Sequence, residues 1–241
     1  MDTSFVNVWV ILIFLIILLA CASPYWWRQA ILKRWSNSLS LNQHLLYFQT
    51  LFSDIDGFNL SRQSRVPYNT IEYTYGEIDF IPFIALLTLT KTNSNTVFYD
   101  LGSGIGKAIF AAMMVFNVKK ACGIEILRPL HEAALQQQQR LGQFSPYAEI
   151  AHKIHWVNAD FLTTDITDAT VIFINATAFF GERWILINHY LKQIKPGAYI
   201  ISTSKQLFDP EFLLIRKTPI QMSWGVVNAY IHQKISSNSL C

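Results

Sequence analysis

At 241 residues the chain has room for one α/β domain with a substantial core beside a short leading segment. Its residues are 51% hydrophobic and 15% charged, a low charge content that points to part of the chain lying in lipid. The net charge of +3 is slight and no basic nucleic-acid stripe is visible, while Cys21, Cys122 and Cys241 are spaced for neither a disulfide framework nor a zinc site and fit a reducing compartment.

Phe5 to Ala22 contains no charge and one amide, Asn7. As a helix this run reaches ~27 Å, close to the hydrocarbon thickness of a bilayer, so residues 1–24 read as a transmembrane anchor. Ala20-Cys21-Ala22 resembles a signal-peptidase site and Leu18-Leu-Ala-Cys21 a lipoprotein box. The residues before the run, with Asp2 their one side-chain charge, lack the positive charge such signals need. The cations follow instead: Arg28, Lys33 and Arg34 interleave with Tyr25, Trp26, Trp27 and Trp35 as an interfacial belt with a positive flank. The expected topology is a single-pass, uncleaved anchor with the large domain cytoplasmic.

Residues 25–74 read as an amphipathic helical and linker region. Apolar residues from Tyr25 to Phe52 fall at helical spacing, which ordinary packing explains as well as a membrane surface does. Ser53 to Thr74 is polar and turn-rich and predicts a linker.

From residue 75 to 241 short apolar runs alternate with helical stretches. Strands are predicted at Thr96–Leu101, Ala121–Ile126, Ile154–Val157, Thr170–Asn175, Tyr199–Thr203 and Val226–His232, with helices at Ile78–Leu89, Lys107–Phe116, Pro129–Leu141 and Gly181–Ile194. Such alternation specifies a doubly wound, Rossmann-like α/β sheet. The last apolar segments, Phe212–Ile215 and Val226–His232, are joined by a stretch holding Pro219 and Gly225, too short for a crossover helix, and predict an antiparallel hairpin that closes the sheet.

In an open α/β sheet ligands bind beyond the carboxyl ends of the strands, and the first strand-to-helix loop is the usual place. Here that loop is Asp100-Leu-Gly-Ser-Gly-Ile-Gly106, whose glycines let the backbone approach a ligand. Its G-x-G-x-G spacing lacks the third glycine of the dinucleotide fingerprint, which counts against a nicotinamide oxidoreductase. Asp100 is a poor neighbour for a pyrophosphate and a good one for a cationic amino-acid ligand. At the end of the next strand Glu125 is placed to accept hydrogen bonds from two ribose hydroxyls. After the third strand, Asp160 and Phe161 offer an acceptor and a ring face to a nucleobase, while Asp160 equally suits a helix cap. Asn175 ends the fourth strand and is followed by Phe179 and Phe180; its amide either orients an amine or caps the helix near Gly181. The six histidines are scattered, and no metal ligand is assigned.

These residues, with Tyr75-Gly-Glu-Ile78 ahead of them, resemble the Dot1-like lysine methyltransferases, a seven-strand class I group, over roughly residues 75–205. The resemblance implies S-adenosylmethionine as cofactor, with Asp100, Gly102, Ser103 and Gly104 around its methionine moiety, Glu125 at the ribose and Asp160 with Phe161 at the adenine. Tyr75, Glu77 and Ile78 would fold over the cofactor and shape a lysine channel. Asn175, Tyr75 and Phe179 would form the catalytic set that holds the deprotonated amine. Lys107 departs from the family's neutral polar residue; it either pairs with the cofactor carboxylate or sits on the helix surface. The second asparagine usual after Asn175 is Ala176, and the long basic extension of nuclear members is not present, so histone specificity does not carry over. The membrane-anchored lysine methyltransferases of the ATP synthase c subunit are a second likeness, closer in architecture and weaker in motifs. The expected partners are a protein lysine and the membrane, with no nucleic acid. A small or lipid-soluble acceptor and a non-catalytic cofactor-binding membrane module are the rival readings, and oligomeric state stays open.

Overall fold

The computed structural model describes residues 24–65 and 74–236. The anchor expected over residues 1–24 therefore lies outside the described residues, apart from Pro24, and among the described residues no helix is long and apolar enough to cross a membrane. The chain divides into two compact units, residues 1–43 and 44–241. In the first, helix α1 runs through residues 24–38, with Tyr25, Trp26, Trp27, Ile31 and Leu32 exposed. Helix α2, Leu41–Leu51, straddles the division.

The second unit opens with a correction to the expected linker. Helix α3, Gly57–Arg65, occupies its middle, because Asp56 acts as a cap rather than a turn residue: its Oδ1 accepts the Asn59 amide at 2.9 Å. Helix α4 follows at Phe80–Leu89. It starts two residues later than predicted, since Ile78 is drawn into an antiparallel bridge with Met222.

The sheet is then built in chain order from β1 (Val97–Leu101), α5 (Lys107–Phe116), β2 (Lys120–Ile124), α6 (Arg128–Leu141), β3 (Ile154–Val157), β4 (Val171–Asn175), α7 (Gly181–Tyr190), β5 (Tyr199–Thr203), β6 (Phe212–Met222) and β7 (Gly225–Lys234). Seven strands stand in the order β3-β2-β1-β4-β5-β7-β6. The five from β3 to β5 are parallel, and β7 runs antiparallel to both β5 and β6. This is the predicted doubly wound sheet with its closing hairpin. Strand order reverses between β1 and β4, so a cleft opens beyond their carboxyl ends.

Two boundaries moved for physical reasons. Strand β2 stops at Ile124: the Glu125 amide makes a last bond to the Val157 carbonyl of β3 at 3.0 Å, and its carboxylate then takes the Leu127 amide at 2.8 Å as the chain turns toward α6. Strand β6 runs on through Pro219, beyond the expected end at Ile215 and into the stretch expected to join the two strands. Pro219 lacks a donor, but β6 is the edge of the sheet, where a missing amide breaks no ladder bond on the open side.

Strand β1 and helix α5 sit in the core: every residue of β1 is buried, as is each residue from Ala108 to Met114. That setting explains the continuous apolar runs and makes a carboxylate at Asp100, inside β1, a physical anomaly.

His232 on β7 is a second anomaly. It is fully buried, neither ring nitrogen has a hydrogen-bond partner among the described residues, and burial pulls its pKa down to about 4. A histidine whose folded pKa lies below its unfolded value loses stability as pH falls from about 6.5 toward 4. His232→Leu is expected to raise stability by about 1–2 kcal/mol at neutral pH by removing two unsatisfied nitrogens, and to flatten that acid limb in denaturant titrations run across this range.

Candidate functional site

The chain leaves β1 through a loop that only glycine geometry permits at its start. Gly102 has φ +83°, and a Cβ there would meet no atom within 4 Å, so the backbone stands bare against open space. The Gly102 and Ser103 amides both donate to the Ile124 carbonyl, at 2.9 and 3.0 Å, pinning the loop to the end of β2. The buried Ser103 hydroxyl has no partner among the described residues. Gly104, at φ +55°, carries the ring of Tyr75 against its face, where a Cβ would lie 2.4 Å from Tyr75 Cε2.

Two cavities flank this loop. The larger, about 690 Å³, has Glu125, Asp160, Phe161, Phe179 and Arg183 on its walls. The smaller, about 320 Å³, has Glu77, Ile78, Asp100, Ser103 and Lys107. Tyr75, Gly76, Gly102 and Asn175 line both, so the two hollows meet at these four residues. Every residue expected at the site except Gly104 therefore lines one cavity or both, and Gly104 lies under Tyr75.

Asp100 is 4% exposed and its carboxylate makes no hydrogen bond or ion pair among the described residues. Burial pushes its pKa well above the carboxylate range, and the neighbouring charge of Glu125 pushes the same way. Glu125 is equally buried, but its oxygens are held by backbone: Oε2 accepts the Gly104 amide and Oε1 the Leu127 amide, each at 2.8 Å. Burial raises its pKa too, against the pull of these amides. Each oxygen keeps a second lone pair for a hydroxyl.

At Asp160 the capping reading is realised. Oδ1 caps the short 3-10 turn Phe161–Thr163 through the Leu162 amide at 3.0 Å and also takes Arg183 Nη2 at 2.8 Å. Oδ2 has no partner among the described residues. The Phe161 ring packs edge-on against Phe179, centroids 5.7 Å apart, with the Arg183 guanidinium 5.4 Å from its centroid.

Asn175 caps the 3-10 turn Ala176–Ala178 and not the helix that starts at Gly181, receiving the Thr177 amide at 3.5 Å, and its Oδ1 further accepts the hydroxyls of Thr177 at 2.9 Å and Thr203 at 2.7 Å. The side-chain oxygen expected to orient an amine is thus turned toward β5, and the amide nitrogen has no partner among the described residues.

Lys107 is not a bystander on the helix surface. Its ammonium forms an ion pair with Glu77 Oε2, whose Oε1 accepts the Tyr75 hydroxyl at 2.8 Å. Burial and the charge of Glu77 push the Tyr75 pKa well up.

Sequence reasoning missed three participants. Arg183 comes from the first turn of α7, and no periodicity marks it. Ser223 and Trp224 occupy the β6–β7 turn: Ser223 Oγ accepts the Glu77 amide at 3.1 Å, and the Trp224 ring covers Gly76, where a Cβ would lie 2.1 Å from it. A tryptophan beside the glycine of a tight turn was the available signal.

The family model described as "Histone methylation protein DOT1" matches residues 66–226. A protein-lysine N-methyltransferase of Saccharolobus islandicus is 31% identical over 117 residues, 48% of this chain and 67% of that protein. A histone-lysine N-methyltransferase of Caenorhabditis elegans, specific for H3 lysine 79, is 30% identical over 155 residues, 60% of this chain but 16% of its own length. Among solved structures, an RNA methyltransferase of Salinibacter ruber in complex with S-adenosyl-L-homocysteine superposes with a TM-score of 0.52 at 21% identity, covering 64% of this chain and 91% of that one; this likeness is one of fold.

Proposed function

The chain belongs to the DOT1 histone-methylation family of S-adenosylmethionine-dependent methyltransferases, and from that premise we propose that it methylates a lysine side chain of a protein. The observation that carries the reading is Asp100: a buried carboxylate, without a partner among the described residues, on the wall of a cavity beside a bare glycine loop. Such a group stays ionised only against a cationic partner. The ammonium of the donor's amino-acid end fits it, and Lys107 supplies the complementary charge for the carboxylate.

The larger cavity has the chemistry of a nucleoside pocket, with Glu125 for ribose hydroxyls and the Phe161 face and Asp160 Oδ2 for a base. The four residues shared by both cavities then mark the junction where the sulfonium belongs. When bound, the donor supplies an electrophilic methyl group for in-line displacement. The protein's part is alignment and desolvation: Tyr75 walls the junction, Phe179 the larger cavity beside it, and Asn175 orients a neutral amine whose proton leaves to solvent.

The Saccharolobus and Caenorhabditis relatives, a protein-lysine and a histone-lysine N-methyltransferase, support a protein lysine as acceptor. The uncharged run Phe5–Ala22 and the exposed aromatic residues of α1 support anchorage at a membrane, with the catalytic domain on the cytoplasmic side. The test is incubation of the full chain with radiolabelled S-adenosylmethionine and membrane extract. Label recovered on protein, at lysine by mass spectrometry, is expected; label extracted with lipid would overturn the lysine assignment, and calorimetric binding without any transfer would overturn the enzyme.

A further inference from the structure

Lysine is a poor first residue for a helix, because the N-terminus already carries the positive end of the helix dipole. Lys107 nevertheless opens α5. What compensates is local: its Nζ pairs with Glu77 at side-chain exposures of 22% and 11% and lies 5.4 Å from the centroid of the Phe52 ring. Glu77 in turn holds the Tyr75 hydroxyl, and the Tyr75 ring lies on Gly104. One unbroken chain of contacts therefore runs from the start of α5 to the wall shared by both cavities. Lys107 is also the one basic side chain among the described residues lining the smaller cavity. An ammonium has three N–H donors, and Glu77 uses one.

We infer that Lys107 is a positioning residue that reads the donor's carboxylate and, through Glu77, fixes Tyr75, so that filling the amino-acid end of the site sets the acceptor wall. The inference rests on the donor-binding reading above. A neutral residue at 107 would leave the carboxylate without its cation and would release Glu77. Arginine would preserve both contacts.

The test uses the full chain, with S-adenosylmethionine and decarboxylated S-adenosylmethionine titrated by calorimetry. The wild type is expected to prefer the carboxylate-bearing donor by at least tenfold, Lys107→Arg to keep that preference, and Lys107→Gln to reduce it to within threefold. In hydrogen exchange, S-adenosylhomocysteine is expected to slow residues 74–78 at least tenfold in the wild type and to leave them unchanged in Lys107→Gln and Glu77→Gln. A Lys107→Gln protein that retains the preference, or retains the slowing of residues 74–78, overturns the role of Lys107. A wild type that binds neither compound overturns the donor reading instead.

Discussion

Asp100→Asn is expected to lose donor binding by about 100-fold or more while making the free protein more stable. Both effects follow from one side chain. The carboxylate sits in a fully buried strand with no partner among the described residues, and folding raises its pKa. For an acid raised in this way, stability is fully present below the unfolded pKa and declines as pH rises through the folded one. At neutral pH asparagine removes that burden, and about 1–2 kcal/mol corresponds to a gain of about 3–6 °C in melting temperature. Binding responds in the opposite sense. A charge-assisted bond to a buried carboxylate is worth about 3 kcal/mol, and each 1.4 kcal/mol is a factor of ten. Donor affinity should strengthen as pH rises through the raised Asp100 pKa and level off above it, and binding should release a proton, measurable by calorimetry in buffers of different ionisation enthalpy. Asparagine should abolish both dependences. A variant that binds donor as the wild type does would remove Asp100 from the site.

The sequence carried the sheet because parallel strands buried on both faces must be continuous apolar runs, and the site because charged or polar residues at the ends of such runs have few structural reasons to be there. Asp100, Glu125, Asp160 and Asn175 were legible on that ground, and all four line the cavities. What was not legible is how each is held. That Glu125 spends a lone pair of each oxygen on backbone, that Asp160 shares one with Arg183, and that Asn175 turns inward are matters of side-chain direction, which spacing does not encode. Helix α3 was hidden for a related reason: Asp56-Gly57 begins a helix as readily as a turn, and the choice lies in the capping bond to Asn59. The tie between the Tyr75–Glu77 segment and the β6–β7 turn joins residues about 146 positions apart in the chain, beyond the reach of any local pattern.

The inward turn of Asn175 shapes the last expectation. An amide nitrogen facing the acceptor would donate to the amine's lone pair and block attack, so productive catalysis needs the oxygen toward the junction. The arrangement allows it. Thr177 and Thr203 hydroxyls donate and accept equally well, and of the three bonds to Oδ1 the one that an amide reversal must give up, the Thr177 amide at 3.5 Å, is the longest. Asn175→Ala is expected to reduce methyl transfer by about 100-fold, the scale of a misplaced reactant, with donor affinity within threefold of the wild type. Thr203→Val removes one of the hydroxyls that hold the amide and should lower turnover less. Asn175→Asp keeps an acceptor oxygen but places a negative charge beside the amine, which raises the amine's pKa; its pH–rate profile should shift to higher pH, because attack needs the neutral amine. Unchanged turnover in Asn175→Ala, or an Asn175→Asp profile that does not move, would take Asn175 out of the acceptor site and leave it as the cap of its 3-10 turn.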